Sequence, residues 1–330
     1  MKALVYTDVK QLEFCDVPNP KLDMDENLIA IRSVGICGSD MHAYLGHDER
    51  RPAPLILGHE AAGDVIKGPM KGERVTVNPL VTCQTCKECK SGRSNLCGRR
   101  QIISMQPREG AFAEMIVMPS RNLVKVPGNI SFNDAALTEP LAVCWHAIRL
   151  GLNAMDIAVK AANTLVIGGG AIGLGSALSL MAKGVKKIKI AEPNQARRAF
   201  LQANTLFDVY DPEQGHGKIS DYDLVVDAVG FSSSRADACA LAKPGGVIIH
   251  IGLGDSEGGL DIRRLTLQEI RFIGTYTYTS QDFVETAHAI FNGSFGSLDW
   301  YETRPLSAGN KAFSQILRGE IAAPKIILNP

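Results

Sequence analysis

Four of the eight cysteines fall within fifteen residues, as Cys83-x-x-Cys86-x-x-Cys89-x7-Cys97. Zinc takes four soft or borderline donors in a tetrahedron, and two-residue spacers let a turn bring successive thiolates to one ion. Lys87, Lys90, Arg93, Arg99 and Arg100 lie nearby to offset the charge of such a centre. Four thiolates leave no open position, so the ion is expected to be structural and to hold a lobe lacking its own apolar core. An iron–sulfur cluster shares the ligand set. Four reduced, unliganded thiols are the plainer alternative, disfavoured because such a cluster is reactive when uncapped.

A second chemistry is written at Gly168-x-Gly170-x-x-Gly173, between the apolar run 165–167 and a helical stretch. In that order Gly168 allows a tight turn, Gly170 lets a pyrophosphate approach the backbone, and Gly173 lets helix pack on strand. The helix N-terminus then faces the phosphates. Glu192 ends the next strand, where a carboxylate binds the adenosine ribose and repels a 2′-phosphate. NAD is therefore expected, although Arg197 and Arg198 leave room for NADP. Read without that context, Glu192 is an exposed loop acid.

Two further segments carry metal-ligand types, Cys37-Gly-Ser-Asp-Met-His42 and Gly58-His-Glu60. They are too far apart for a local ligand pattern. A lone Cys or His is more often a core or loop residue.

These residues need elements to hold them. A chain of 330 residues is longer than one hydrophobic core usually organises, so two domains are expected. Residues 1 to about 130 read as short strands at 2–6, 27–34, 74–77 and 113–117, punctuated by prolines. This predicts an irregular antiparallel barrel with function on its loops. Strands at 165–167, 187–191, 223–226 and 247–251 then alternate with helices at 173–183, 196–204 and 233–242, predicting a parallel doubly wound sheet. Helices follow at 282–291 and 309–318. Residues 161–182 carry no charge, but five glycines break the run, so strand, loop and helix explain it better than a membrane span. No secretory or organellar leader is evident, and the cytoplasm is the expected location. Lys plus Arg and Asp plus Glu are each 35, and a net charge of zero argues against a polyanion-binding protein.

Taken together, the motifs resemble those of the zinc-dependent medium-chain dehydrogenases/reductases, in the branch with sorbitol, galactitol-phosphate and threonine dehydrogenases. The resemblance spans nearly the whole chain. It rests on Gly35-Ile-Cys-Gly-Ser-Asp-Met-His42, Gly58-His-Glu-Ala-Ala-Gly63, the four-cysteine lobe, Thr138-Glu-Pro-Leu-Ala142, the glycine loop, Lys243-Pro-Gly-Gly246 and Gly274-Thr-Tyr-Thr-Tyr278. It implies an α/β plus β fold: a GroES-like catalytic domain at 1–140 and 277–330, with its zinc lobe at 83–97, and a Rossmann domain at 141–276. It implies two zinc ions per chain, NAD, and a homodimer or homotetramer with no nucleic-acid or membrane partner. Strand 247–251 is the expected edge for joining subunits.

By the same resemblance Cys37 and His59 hold a catalytic zinc, with Glu60 and Glu139 at or next to the metal. Which carboxylate ligates varies within the family. Glu139 also reads as a helix-start acid, followed by Pro140 in the first turn. Asp40 orients the His59 imidazole, Ser39 takes the substrate proton, and His42 passes it to solvent. Further cofactor contacts are implied at Ile172, Arg197, Ile251, Gly252, Leu253, Thr275, Tyr276 and Thr277. The expected reaction moves a hydride between a secondary alcohol or polyol and NAD. Ala43 and Thr277 depart from the sorbitol dehydrogenase pattern, which puts a sorbitol-like substrate in doubt. Threonine-type amino alcohols and sugar phosphates are alternatives, the latter needing Arg50–Arg51 or Arg263–Arg264 as a phosphate cradle. A zinc-ribbon binding module is the alternative of another class, and the complete glycine loop counts against it. Tyr44 and His47 are expected beside the substrate, Cys15, Cys144 and Cys239 in packing roles, and His216 in a solvated loop.

Overall fold

The computed structural model describes residues 1–214 and 221–330, so His216 lies outside the described residues. Two compact units are present: Met1–Pro140 with Thr279–Gly293 and Trp300–Pro330, and Leu141–Tyr278 with Ser294–Asp299. No described helix is long and apolar enough to cross a membrane.

The first unit is built on antiparallel pairing around the strand Glu26–Gly35. Its alternating Leu28, Ala30 and Ile29, Ile31 give way to an unbroken buried run at Ser33–Gly35, as the strand passes from surface to interior. On one side it pairs with Glu60–Lys67, with Gly35 opposite Glu60. On the other it pairs with Lys325–Asn329, with Gly35 opposite Ile327. Three segments distant in sequence therefore end at one place. Gly35 is needed there, because a Cβ on it would overlap the Glu60 carboxylate.

Strand Arg74–Val77 lies where the sequence places it, and Lys2–Asp8 and Met115–Pro119 are close to expectation. The hairpin partner Gln11–Asp16 was not foreseen, since its apolar face is only Leu12 and Phe14, and Leu12 alone is buried.

In the second unit six parallel strands run in the order Asp208–Tyr210, Lys187–Ala191, Asn163–Ile167, Tyr222–Asp227, Ala242–His250, Arg271–Gly274. Strand order reverses beside Asn163–Ile167, the place where open α/β sheets take ligands. Leu165, Val225 and Ile248 pack in the core with Ala238 and Cys239 of the helix Ser232–Leu241. The edge expectation fails. The strand that holds residues 247–250, Ala242–His250, is internal, and Arg271–Gly274 is the outer strand on that side. Arg271–Gly274 escapes the sequence reading because only Phe272 and Ile273 of its four residues are apolar.

Candidate active site and metal centres

The lobe cysteines converge. One sulfur from each of Cys83, Cys86, Cys89 and Cys97 lies within 4.8 Å of the others. Cys83 Sγ is 3.9 Å from Cys89 Sγ and 3.5 Å from Cys97 Sγ. Sulfurs about 2.3 Å from one tetrahedral zinc stand about 3.8 Å apart, so the donor set fits the ion. Local turns make this possible: Gln84 adopts a left-handed φ of 61°, and Cys86 precedes the short helix Lys87–Lys90. The Thr85 and Cys86 amides and the Thr85 hydroxyl favour the Cys83 thiolate, lowering its pKa to about 5. For Cys86 the Cys89 amide acts in the same sense, but burial and the surrounding sulfurs prevail and push the thiol up to about 12. Arg99 donates to Cys83 Sγ at 3.3 Å, as its charge-balancing role requires.

A second convergence joins Cys37, His59 and Glu60, whose donor atoms also lie within 4.8 Å of one another. Cys37 precedes the helix Gly38–Tyr44, and its amide donates to Asp40 Oδ2 at 3.0 Å. Asp40 is fully buried, accepts the Gly58 amide at 3.2 Å, and faces His59 Nδ1 at 3.4 Å. Burial alone would raise its pKa; His59 and Arg51 outweigh that and hold it below the ordinary carboxylate range. Burial likewise works to lower His59, but Asp40 and Cys37 raise it well above the usual imidazole value. With Nδ1 held by Asp40, Nε2 is left for the metal side, 3.5 Å from Ser39 Oγ. Glu139 is buried but outside this three-residue convergence. Pro140 does follow it in the first turn of the helix Thr138–Ala154.

Three residues of this shell were not placed in it by sequence reasoning, Arg51 having been read as a candidate phosphate ligand. Lys325 is buried, with Nζ 2.7 Å from Glu60 Oε1 and 2.9 Å from the Ile36 carbonyl. Removing one partner of such a buried pair typically costs about 3–5 kcal/mol. Arg51 is also buried and donates to the Ser39 carbonyl at 2.6 Å. Ser104, fully buried at a φ of 66°, places Oγ 3.5 Å from His59 Nδ1. A lysine inside Lys325-Ile-Ile-Leu-Asn329 was the one visible signal, since a cation in an aliphatic strand needs a buried partner.

Other expectations are redirected. Tyr44 is a core residue, 4% exposed, with its ring 5.2 Å from that of Phe313. His42 and His47 are exposed. Arg50 binds Asp48 through Nε at 2.8 Å and Nη2 at 2.9 Å. Arg264 donates to the carbonyls of Cys239 and Ala242 at 2.6 and 2.9 Å. Arg51 is buried as well, so three of the four candidate phosphate-binding arginines are engaged within the chain, and Arg263 is exposed.

The glycine loop has the geometry its spacing implies. Gly168 adopts a φ of 96°, and a Cβ on Gly173 would overlap the Gly168 carbonyl. A Cβ on Gly170 would meet nothing within 4 Å, so open space lies before the N-terminus of the helix Ala171–Ala182. That space fits a pyrophosphate. Glu192 is buried, not a solvated loop acid: Oε2 accepts the Gly169 amide at 2.7 Å and Oε1 the Asn194 amide at 2.8 Å. Arg198 is tied to the Glu192 carbonyl at 2.8 Å and to Asp211 at 2.8 Å, which withdraws it from a phosphate role. Arg197 Nη1 stays 3.8 Å from Glu192 Oε2.

The Ile172 carbonyl accepts from Cys144 Sγ at 3.2 Å, and that sulfur packs against Gly175, the structural role expected of Cys144. Ile251 and Gly252 donate to the Asp227 carbonyl at 3.0 and 3.1 Å, and Leu253 beyond them is 75% exposed. The Thr275 amide donates to the His250 carbonyl at 3.1 Å. Tyr276 follows it, and Thr277 adopts a φ of 46° with Oγ1 buried and unpartnered. Ile172, Ile251, Gly252, Leu253, Thr275, Tyr276 and Thr277 all follow the carboxyl ends of parallel strands.

Comparison with known proteins agrees with this geometry. Residues 23–128 match the family model described as an alcohol dehydrogenase GroES-like domain, and residues 171–292 that of a zinc-binding dehydrogenase. The chain is 31% identical to L-galactonate-5-dehydrogenase of Escherichia coli, over 89% of this chain and 88% of that protein. It is 29% identical to L-idonate 5-dehydrogenase of Vitis vinifera, over 82% and 78% of the two chains. The structure of acetophenone reductase from Geotrichum candidum in complex with NAD superimposes with a TM-score of 0.87 at 26% identity, covering 100% of this chain and 97% of that one. The chain therefore belongs to the zinc-dependent medium-chain dehydrogenases/reductases, in their sorbitol-dehydrogenase-like branch, and is an oxidoreductase of alcohol or polyol CH–OH groups.

Proposed function

We propose that Cys37, His59 and Glu60 form the catalytic zinc site of an NAD-dependent secondary alcohol or polyol dehydrogenase, and that Cys83, Cys86, Cys89 and Cys97 hold a structural zinc. The observation carrying this reading is the convergence of a mixed Cys, His and Glu donor set, which keeps a position open where an all-thiolate set does not. When bound, the ion supplies the Lewis acidity that makes an alcohol proton easy to lose near neutral pH. The chain's own residues do the rest. Asp40 fixes the His59 ring, Ser39 presents its hydroxyl beside Nε2 to take the proton, and exposed His42 hands it to water. Glu139 supplies a further negative charge that acts on Lys325.

Glu192 favours NAD over NADP, since its buried carboxylate stands where a 2′-phosphate would bring like charge. The commitment of Arg50, Arg51 and Arg264 supports an uncharged polyol or secondary alcohol over a sugar phosphate. Homo-oligomerisation through the outer strand Arg271–Gly274 is part of the same reading. It is supported by exposed Ile262 and Leu267 on the adjoining helix Ile262–Leu267. Elemental analysis tests the site assignment: the parent should carry about two zinc ions per chain, and Cys37→Ser about one, with turnover lost. Full zinc content in Cys37→Ser would exclude this site as the second zinc centre.

A further inference from the structure

Lys325 places a full positive charge inside the catalytic shell, 4% exposed and 2.7 Å from Glu60 Oε1. The Ile36 carbonyl, just past the end of the neighbouring strand Glu26–Gly35, fixes the same ammonium at 2.9 Å. Glu60 is fully buried, and its other oxygen, Oε2, has no hydrogen-bond partner. A buried carboxylate oxygen without a donor is costly unless a cation completes it. Glu60 is thus shared: Oε1 is neutralised by the chain itself, Oε2 lies unpartnered against Gly35, and the same carboxylate offers a donor within 4.8 Å of those of Cys37 and His59.

We propose that Lys325 is a positioning residue that sets how strongly Glu60 holds the catalytic ion, its fixed counter-charge making Glu60 a weak and displaceable donor. The proposal rests on the assignment of Cys37, His59 and Glu60 as the donor set. Its physical basis is competition in a low-dielectric interior, where an ammonium in contact with one oxygen draws charge from the other. A donor that yields its position is what a substrate oxygen needs in order to reach the ion. A purely structural strut has the opposite signature. If Lys325 only oriented Glu60, its loss would loosen the carboxylate and the ion would leave faster.

The sign of the effect is therefore the test. Zinc transfer from the zinc-loaded protein to a chromophoric chelator is timed, and Cys37→Ser identifies the phase that belongs to this site. Lys325→Met should slow that phase by about tenfold or more, the scale on which outer-shell partners alter metal affinity. Lys325→Arg should stay near the parent, because it keeps the charge. Lys325→Gln keeps a hydrogen-bond donor but no charge, and should also slow release. It decides the matter should Lys325→Met fail to fold around an unpaired carboxylate. In a Glu60→Gln background the slowing from Lys325→Met should largely disappear. Unchanged or faster release in Lys325→Met or Lys325→Gln, or equal slowing without the Glu60 charge, would overturn the proposal. A second zinc that persists in Cys37→Ser would instead show that the site assignment itself had failed.

Discussion

In the proposed relay, Ser39 carries the most chemical weight of any single residue. Its Oγ lies 3.5 Å from His59 Nε2, and Arg51 grips its carbonyl from beneath. A metal can ease the loss of an alcohol proton but does not carry it away, so Ser39→Ala should cut turnover by roughly two orders of magnitude or more. Zinc content and NADH affinity should stay near parental values, because the hydroxyl ligates neither. His42→Ala should be milder and partly rescued at high pH, since water replaces an exposed distal group. Steady-state pH profiles check both; a Ser39→Ala protein with most of its activity across the range would end the relay. The spacing Cys37, Ser39, Asp40, His42 made these residues legible in sequence. Arg51, Ser104 and Lys325 were not, because each earns its place through a contact that only the fold creates.

Each centre depends on a short element with little stability of its own. Among its described residues the lobe offers one four-residue helix, Lys87–Lys90, and one 3-10 turn, Ser94–Leu96. A Ser94–Ser280 hydroxyl pair at 3.1 Å ties it to the N-terminus of the helix Ser280–Phe291. Cys89→Ser should lose the structural zinc and sharply raise proteolytic cleavage within 83–97, while dinucleotide binding persists. Elemental analysis with limited proteolysis reads both effects, and unchanged zinc would remove the assignment. At the glycine loop, Glu192 bonds the Gly169 and Asn194 amides, so Glu192→Ala loses the repulsion of a 2′-phosphate and two loop anchors together. It should therefore weaken NAD binding and narrow the NAD-over-NADP preference, as fluorescence titration of the two reduced cofactors would measure. Equal affinity of the parent for both cofactors would show that Arg197 governs the site. Periodicity and glycine spacing placed the loop and its helix within a few residues. The helix Gly38–Tyr44 went unread, because its Gly-Ser-Asp start looks like a turn until Asp40 accepts the Cys37 amide.

At the scale of the molecule, the proposed subunit association would use Arg271–Gly274, the outermost strand on its side of the sheet among the described residues, since an unpaired strand edge invites pairing with another copy. Ile262→Glu with Leu267→Glu should lower the mass of the assembly in sedimentation, with zinc content unchanged. A parent that sediments as a monomer would rule this interface out. The sequence by itself determined the alternation of strands and helices in the second unit, the thiolate cluster, the glycine loop and the acid that follows it. Those are local patterns, in which neighbours along the chain are neighbours in space. Only the tertiary structure decided which strand is outermost, that Tyr44 is core, and that Arg50, Arg51 and Arg264 are already engaged. It alone brought the ends of Glu26–Gly35, Glu60–Lys67 and Lys325–Asn329 together, setting Lys325 against Glu60 across 265 residues. Strand register fixes such encounters, and register depends on hydrogen bonds and burial across the whole sheet, which the spacing of residues in one segment does not encode.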